Sequence, residues 1–375
     1  MSSFKAAAYR RLVIKVGSAL LIDDQGALDT GWLHGLAEDV AELRANNCEV
    51  LIVSSGAIAI GSRVLGINRR KARLPDLQAS AAAGQVQLAS AYRDVFGALN
   101  ITTAQVLLTP GDTEDRRRFL NARGTLGRLL DCKVVPVINE NDTVATEEIR
   151  YGDNDRLAAR VAQLVMADGL LLLSDIDGFY TADPARHSDA EHIPQIRGIS
   201  SAMLAMAGAA RSDVGSGGMQ TKIQAAQIAT HAGCATIIAS GKLSRPIHQL
   251  GEGARCSVFF AEGSPAAARK QWLAGSLKVA GSLHVDDGAV RALRNGSSLL
   301  PVGVRFVEGD FQRGDAVTIA ATDGREIGRG LAEYGAQEAQ LIAGCQSDQI
   351  EERLGYRGRS VMLHRDELVL FETYD

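Results

Sequence analysis

The hydrophobic positions of this chain form two alternating kinds of segment over its first two thirds. Short runs that are apolar and rich in β-branched residues predict strands at Leu12–Val16, Glu49–Ser54, Thr102–Leu107, Lys133–Ile138, Gly169–Ser174 and Ala235–Ala239. Longer amphipathic segments between them predict helices at Gly31–Asn46, Leu77–Leu99, Thr113–Leu130, Asp155–Met166 and Met219–Ala232. Strands that are apolar throughout are expected where helices cover both faces of a parallel sheet. The pattern predicts a three-layer α/β/α sandwich with the carboxyl ends of its strands along one edge.

The pattern changes after about residue 260, which suggests a second domain. Residues 261–280 contain Gly263, Pro265 and an Ala-rich stretch, and we interpret them as a linker, within which the Ala-rich stretch could form a short helix. The region beyond residue 280 carries short apolar strands, such as Ala316–Ala320 and Val361–His364, divided by Gly and Asp turns. This pattern predicts a small, mostly-β domain over residues 281–360. We therefore expect a catalytic domain over residues 1–260 and a C-terminal segment over 361–375, in which Asp366–Asp375 forms a loose acidic tail.

Composition narrows the class of protein. The chain has 375 residues and a formal net charge of −4, so no global positive field attracts nucleic acid, which argues against a dedicated DNA-binding protein. Its five cysteines are scattered and form no CxxC pair, which argues against a zinc site or a disulfide framework. No stretch approaches the roughly 18 apolar residues that span a bilayer, and no signal peptide precedes the first strand. We expect a cytoplasmic protein without a membrane partner.

The first two polar motifs follow the first two predicted strands. Lys15 lies inside a strand that should be buried, where an ammonium group is costly unless it meets an anion. The alternative is a lysine that reaches solvent from the strand end. Ser55 and Gly56 lie between the second strand and the next helix, where free backbone N–H groups favour an anion. Neither motif is a P-loop, because GxxxxGK[ST] is absent there.

Two further polar clusters are the most informative part of the sequence. They are Asn139-Glu140-Asn141-Asp142-Thr143 and Tyr151-Gly152-Asp153-Asn154-Asp155. A calcium loop is an alternative, but the spacing lacks the EF-hand pattern. Amide and carboxylate groups together suit a zwitterionic amino acid, whose ammonium group would meet the carboxylates. Asp155 also lies near a helix start, so N-capping is its structural alternative.

The last two motifs suit a nucleotide. Ser174-Asp175-Ile176-Asp177-Gly178-Phe179-Tyr180 follows a buried strand and supplies a polar wall with an aromatic ring. Gly215-Ser216-Gly217-Gly218-Met219-Gln220-Thr221-Lys222 opens a helix, whose N-terminus can face phosphate oxygens while Lys222 follows the charge of the transferring group. A Gly-rich loop alone is a weak signal, because linkers have a similar composition. The five motifs in this order are a strong one.

These segments together resemble the amino-acid kinase family over residues 11–260. The resembling stretches are IKVGS, VSSGAIA, FLNAR, VPVINENDTVAT, YGDNDRL, LLLSDIDGFYTADP and GSGGMQTK. Residues 281 to about 360 resemble a PUA domain through Gly296–Val304 and Arg313-Gly314-Asp315. PUA domains are often found on RNA-modifying enzymes, but nothing in the residues supports RNA binding here. The combination is typical of the bacterial members of the family that act on L-glutamate.

The resemblance implies an activity and the residues that carry it. It implies ATP-dependent phosphorylation of the side-chain carboxylate of L-glutamate to L-glutamyl 5-phosphate, the first step of proline biosynthesis. Lys15 and Lys222 would neutralise the transferring phosphoryl group, and Asp155 would hold them in place. Ser55, Asp142 and Asn154 would bind glutamate. The residues implied for ATP binding are Lys15, Ser174, Asp175, Ser216, Gly217, Gly218, Met219, Gln220, Thr221 and Lys222.

The resemblance also implies the cofactor and partners. Mg²⁺ is expected through the phosphates of ATP, with no metal ligand assigned to the protein. Feedback inhibition by proline and a homo-oligomer, dimer or tetramer, are typical of the family. The rival enzymes that share the fold are aspartokinase, carbamate kinase and uridylate kinase, and the PUA-like region argues against the first and the last. A protein whose main activity is RNA binding by residues 281–375 is the alternative of a different class, against which the negative net charge counts.

Overall fold

The computed structural model of the chain describes residues 4–5, 8–23, 27–144, 153–209, 218–275 and 278–371. The chain divides into two units, one formed by Met1–Glu114 with Asn121–Pro265 and the other by Asp115–Leu120 with Ala266–Asp375. The strands up to residue 260 are β1 (Arg11–Val16), β2 (Glu49–Ser54), β3 (Thr103–Leu108), β4 (Val135–Glu140), β5 (Gly169–Ser174), β6 (Phe179–Tyr180), β7 (His192–Ile193), β8 (Gln195–Arg197), β9 (Ala235–Ser240) and β10 (Cys256–Phe260). The helices over the same range are α1 (Ser18–Leu21), α2 (Thr30–Ala45), α3 (Ala57–Leu65), α4 (Leu74–Gly97), α5 (Pro110–Glu114), α6 (Arg116–Asp131), α7 (Asp153–Leu164), α8 (Ser201–Ala209), α9 (Met219–His231) and α10 (Pro246–Gly251).

The first unit is built on one sheet. Its described strands form eight positions in the order β3-β4-β2-β1-β5-β9-β10-β8. The strands from β3 to β9 in this order run parallel, as the apolar runs predict. β10 is antiparallel to β9, and β8 is parallel to β10, so this edge of the sheet reverses direction. The carboxyl ends of the parallel strands therefore lie along one edge, where the predicted motifs follow them.

Side-chain alternation along β1 decides which layer each residue meets. Leu12, Ile14 and Val16 pack in a buried cluster with residues of α2 and α4. Successive strand residues point to opposite faces, so Lys15 faces the other layer. α7 packs on β1 and β5 in that layer, and α9 packs on α7 and β9. The sheet thus lies between helices on both faces, which confirms the predicted α/β/α sandwich.

The structure corrects one predicted helix. The segment Thr113–Leu130 is not continuous, because α5 ends at Glu114 and α6 begins at Arg116. The carboxylate of Asp115 accepts the backbone N–H of Arg118 at 2.9 Å, which caps the second helix. A side chain that satisfies a free helix N–H ends one helix and starts another, and the apolar periodicity alone did not show this.

The second unit has its own sheet. Its strands and helices are β11 (Val279–Val285), β12 (Val304–Gly309), β13 (Ala316–Ala321), β14 (Glu326–Leu331), β15 (Leu368–Leu370), α11 (Pro265–Gly275), α12 (Asp287–Arg294), α13 (Ala336–Ile342) and α14 (Ile350–Leu354). The strand order is β12-β11-β13-β14-β15. Leu283, Phe311 and Ile319 belong to its buried core. This arrangement agrees with the predicted small, mostly-β domain.

Two expectations for the end of the chain are wrong. Val361–His364 does not form a strand, since only Leu363 makes an isolated bridge, to Leu299. The expected loose tail from Asp366 instead contains β15, which pairs with β14 from Gly328 to Gly330. An acidic composition suggested a solvated tail, but backbone pairing and the burial of Leu368 keep this part in the sheet.

The start of α6 belongs to the second unit. Leu120 is buried there with Leu273, Ala316 and Leu331. The guanidinium of Arg269 lies 5.1 Å from the centre of the Phe119 ring. The first two residues of the FLNAR motif therefore pack in the C-terminal unit. Among the described helices, none has the length and apolar character needed to cross a membrane.

Candidate active site

The structure places three predicted residues, Lys15, Asp155 and Lys222, in one buried cluster. The Lys15 Nζ lies 2.6 Å from Asp155 Oδ1, and the Lys222 Nζ lies 3.4 Å from Asp155 Oδ2. The side chain of Asp155 is 0% exposed, and those of Lys15 and Lys222 are 7% and 5% exposed. Lys15 therefore does not reach solvent. A buried lysine needs an anion, and here the carboxylate comes from Asp155, which is 140 positions away in the sequence and lies on a helix that covers this face of the sheet.

The position of Asp155 in α7 explains its partners. The helix begins at Asp153, so Asp155 lies in its first turn, on the layer that Lys15 faces. The Thr221 hydroxyl donates to Asp155 Oδ2 at 2.7 Å and also to the Gly218 carbonyl oxygen at 2.9 Å. Asp155 thus ties β1, α7 and the first turn of α9 together. Among the described contacts, its carboxylate serves this junction rather than the helix N-cap that we gave as its alternative.

The electrostatics of the cluster follow from two ammonium groups that share one carboxylate. Burial alone would raise the pKa of Asp155, but Lys15 and Lys222 together hold it below its usual value. Burial lowers the pKa of Lys222, and the nearby charge of Lys15 adds to this effect, while Asp155 opposes it. Asp155 meets two cations, whereas Lys222 meets the cation Lys15 and the anions Asp155 and Asp175. Two buried ammonium groups share the carboxylate of Asp155, and buried cations of this kind favour an anionic ligand.

A second cluster brings together residues from two strand ends, those of β2 and β4, and from the start of α7. The Asn154 Nδ2 donates to Ser55 Oγ at 2.8 Å, to the Ser54 carbonyl oxygen at 3.2 Å and to Asn139 Oδ1 at 3.2 Å. Asn139 is 2% exposed at the end of β4. The Asn154 Oδ1 is buried and finds no hydrogen-bond partner among the described residues. In this cluster, Asn154 Oδ1 is therefore a buried acceptor that a ligand could reach with a hydrogen-bond donor.

Gly56 joins this cluster to a helix. It has a φ of 104°, a conformation that glycine adopts readily, and α3 begins at the next residue. Ser55 therefore lies just before a helix N-terminus, as the sequence predicts. Asp142 lies on the short 3-10 turn Asp142–Val144 after β4 and is 8% exposed. The burial of this carboxylate agrees with a binding role.

The predicted nucleotide-binding residues that the structure describes lie at the carboxyl end of β5 and at the amino end of α9. The Ser174 hydroxyl donates to Asp175 Oδ1 at 3.0 Å, immediately after β5. Gly218 precedes α9, and Met219, Gln220 and Thr221 form its first turn. Ser216 and Gly217 lie outside the described residues, as do Tyr151 and Gly152. The described part of the Gly-rich motif, from Gly218 onward, therefore leads directly into the first turn of α9, where Lys222 contacts Asp155.

The predicted polar wall after β5 forms its own small network. The Tyr180 hydroxyl donates to Asp177 Oδ1 at 2.7 Å and accepts from Arg255 Nη1 at 3.0 Å. Ser257 is fully buried beneath it and accepts the backbone N–H of Phe179 at 2.7 Å. β10, which carries Ser257, was not predicted from the sequence. Through the Ser257 hydroxyl, β10 contacts the backbone of the hairpin formed by β6 and β7.

The described residues do not form a metal centre of their own. In those parts of the chain, no three His, Cys, Asp or Glu side chains are grouped so as to hold a metal ion.

Comparison with known proteins decides the family. The model of the amino acid kinase family matches residues 10–240, and the PUA domain model matches residues 281–354. The first match covers more than half of the chain and contains both clusters. The chain belongs to the amino acid kinase family. Its fold class, with a kinase sandwich and a PUA domain, is the one that the sequence predicts.

Curated relatives of this amino acid kinase match nearly its whole length. The protein named "Glutamate 5-kinase" of Rhizobium rhizogenes is 55% identical over 362 residues, which cover 96% of this chain and 93% of the relative. The protein of the same name from Rhodospirillum rubrum is 56% identical over 359 residues, with 96% of each chain covered. A solved carbamate kinase from Giardia lamblia, bound to AMP-PNP, is 17% identical with a TM-score of 0.48, and the match covers 68% of this chain and 100% of that one.

The sequence missed two residues of the site. Asn139 stands in a polar cluster that we singled out, but no role was assigned to it. Gln85 lies in the middle of α4 and accepts from Asn139 Nδ2 at 2.8 Å. The strand-end position was a usable signal for Asn139. No local pattern indicates Gln85, because its partner lies 54 residues away.

Proposed function

We propose that this chain transfers the γ-phosphoryl group of ATP to the side-chain carboxylate of L-glutamate and forms L-glutamyl 5-phosphate. The observation that carries the chemistry is the buried Lys15–Asp155–Lys222 cluster, in which one carboxylate holds two ammonium groups side by side. The observation that carries the substrate is the identity of 53–56% to proteins named glutamate 5-kinase over nearly the whole chain. This reaction is the first step of proline biosynthesis.

The chemistry requires positioning and charge cancellation. A carboxylate is already a nucleophile, so no strong general base is needed. The barrier comes from bringing two anions together in line, and lysines, backbone N–H groups and Mg²⁺ lower it. Lys15 and Lys222 neutralise the transferring group, while Asp155 holds both ammonium groups in place. When bound, Mg²⁺ supplies further charge neutralisation at the phosphates.

The second cluster binds the amino acid in this proposal. Asn154 Oδ1, the buried acceptor without a described partner, receives the substrate's ammonium group. Ser55 and Asp142 complete the glutamate site at the ends of β2 and β4. Ser174, Asp175 and the residues from Ser216 to Lys222 bind ATP. The hydroxyl of Thr221 has the further task of orienting Asp155.

An amino-acid panel tests the substrate. The protein is incubated with ATP, Mg²⁺ and hydroxylamine, which traps acyl phosphates as hydroxamates. L-Glutamate should give the highest kcat/KM, and omission of Mg²⁺ should remove turnover. Faster turnover of aspartate or carbamate would contradict the assignment of substrate while leaving the kinase family intact.

The boundaries of the domains remain part of this proposal. We assign catalysis to residues 1–260, a linker to 261–280, and the PUA-like domain to 281–360. The segment Asp115–Leu120 packs with the C-terminal unit, so removal of that unit should expose Phe119 and Leu120. A chain that ends after Gly275 should retain glutamate turnover with a lowered Tm. Loss of turnover with a cooperative melt would place part of the catalytic site in the C-terminal unit.

Three further properties rest on the family resemblance alone. We infer a cytoplasmic protein that assembles as a homo-oligomer, dimer or tetramer, and is inhibited by proline. Light scattering of the purified chain and a proline titration of glutamate turnover test the last two. A monomer, or turnover that is insensitive to proline, would remove the respective inference.

A further inference from the structure

The orientation of the Asn154 amide is set by the backbone. Its Nδ2 lies 3.2 Å from the carbonyl oxygen of Ser54, which can only accept a hydrogen bond. The amide nitrogen must therefore face the end of β2, and Oδ1 points the other way. That oxygen is buried and has no partner among the described residues. A buried carbonyl oxygen without a donor costs free energy, so a ligand that donates there is favoured.

The orientation of Asn139 is set in the same way. Its Oδ1 accepts the backbone N–H of Glu140 at 2.9 Å, and this N–H can only donate. The same oxygen accepts from Asn154 Nδ2 at 3.2 Å. The Asn139 Nδ2 must then point away from both, and it donates to Gln85 Oε1 at 2.8 Å. The three amides form one chain whose direction follows from two backbone groups.

Helix packing puts Gln85 within reach of Asn139. A Cβ added at Gly84 would overlap the carbonyl oxygen of Ala57, the first residue of α3, so the absence of a side chain lets α4 lie directly on α3. α3 begins two residues after Ser55, which fixes α4 relative to the cluster. The Tyr92 hydroxyl, two turns along α4 from Gln85, donates to Ser54 Oγ at 3.1 Å. The same helix therefore supports the cluster at two points.

We propose that Gln85 is a positioning residue that acts through Asn139 to hold Asn154 Oδ1 toward the ammonium group of the substrate. This inference rests on the proposed function, because it assumes that an α-amino acid occupies the site. Without the Gln85 acceptor, the Asn139 amide loses its outer partner and holds Asn154 less firmly. The loss should therefore weaken recognition of the ammonium group and spare recognition of the carboxylates.

A substrate analogue separates this role from a general structural one. Glutarate has the two carboxylates of glutamate and no ammonium group. Gln85→Leu should raise the KM for glutamate about ten-fold, the effect of one buried hydrogen bond, and change the Ki of glutarate as a competitor less than about two-fold. The KM for ATP and kcat should stay close to those of the wild type. Gln85→Glu keeps an acceptor oxygen and should restore most of the preference for glutamate.

The control is Gln87→Leu, which changes the same residue type on an exposed position of the same helix. It should leave the KM for glutamate and the Ki of glutarate unchanged. The inference would be overturned if Gln85→Leu left the ratio of the KM for glutamate to the Ki of glutarate unchanged. If both constants rose equally, Gln85 would have a general structural role; if neither rose, it would have no role in binding. A wild-type protein that makes no hydroxamate from glutamate would instead overturn the proposed function.

Discussion

Both edges of the large sheet collect basic side chains, but they use them differently. At the carboxyl edge, Lys15 and Lys222 share the carboxylate of Asp155 and are nearly excluded from water. At the amino edge, Arg10, Arg11, Arg44 and Lys133 line a cavity of about 720 Å³. Positive charge alone therefore does not distinguish the proposed active site from the opposite edge.

The described contacts of the amino edge balance its cations. The Arg11 guanidinium lies 2.7 Å from Glu49 Oε2 and also donates to the carbonyl oxygen of Val165, just beyond α7. The Arg44 Nη2 donates to the carbonyl oxygen of Lys133 at 2.6 Å, just beyond α6. Cations are stabilised at helix carboxyl ends, where the helix dipole is negative. These groups therefore stabilise the fold, and Arg10 and Lys133 are exposed to water, which screens them.

The comparison shows which property indicates a site for phosphoryl transfer. At the carboxyl edge, two buried ammonium groups share the carboxylate of Asp155, an arrangement that favours an arriving anion. At the amino edge, each described guanidinium contact is with a carboxylate or a carbonyl oxygen. Burial of two ammonium groups around one shared carboxylate separates the carboxyl edge from the amino edge, and the same kind of substitution at each edge should have different effects.

The largest effect is expected from Asp155→Asn. It leaves two buried lysines without their counter-ion, so the free energy of unfolding should fall by about 3–5 kcal/mol and kcat by on the order of 10³-fold. Because the pKa of Asp155 is lowered in the folded protein, its stabilisation is present above the ordinary pKa of 3.8 and is lost as pH falls through the lower folded value. Steady-state rates at pH 7 measure the loss of kcat, and urea unfolding at pH 7 and at decreasing pH measures the loss of stability.

Asp168→Asn is the matched control at the amino edge. The Asp168 carboxylate accepts the backbone N–H groups of Arg10 and Arg11 at 3.0 and 2.9 Å. The substitution should cost about 1 kcal/mol of stability and leave kcat within about two-fold. If both variants lost stability and activity equally, the difference between the edges would not be one of buried charge.

A smaller effect is expected from Lys222→Met. It removes an ammonium group that interacts most strongly as charge redistributes in the transition state, so kcat should fall by about 10²-fold while the KM for glutamate changes little. Lys133→Met, at the amino edge, should leave kcat unchanged. Steady-state rates for both variants test this, and a normal kcat in Lys222→Met would show that the lysine is not part of the transfer site.

The smallest effect is a pH dependence of the wild-type rate. Since burial lowers the pKa of Lys222, its charge should be lost as pH rises, with a midpoint below the ordinary lysine value of 10.5, and kcat should fall with it. In that pH range the unfolded chain binds more protons at this lysine than the folded one, so the contribution of Lys222 to stability rises with pH. The rate should therefore fall without unfolding. Rates and Tm measured from pH 7 to 10.5 test this, and a constant kcat would contradict it.

Much of the fold and part of the site could be predicted locally. β2 and β5 have the predicted bounds, because apolar runs bounded by polar residues indicate strands that are buried on both faces. The polar clusters, together with the family resemblance, predicted Ser55, Asp142, Asn154 and Asp155 as residues of the candidate site. In contrast, β8 and β10 could not be recognised, since short strands at a reversed edge have no distinctive period.

The sequence by itself determined that Lys15 needed an anion, because a lysine inside an apolar strand has no water to solvate it. It did not determine which carboxylate would meet it. That choice depended on the layer that α7 and α9 occupy, which brings Asp155 and Lys222 to the face of Lys15. The contact of Gln85 with Asn139 likewise depended on the close packing of α4 on α3. Local patterns encode which face a residue occupies, whereas its partner across that face depends on how distant segments pack, and only the tertiary structure decides that.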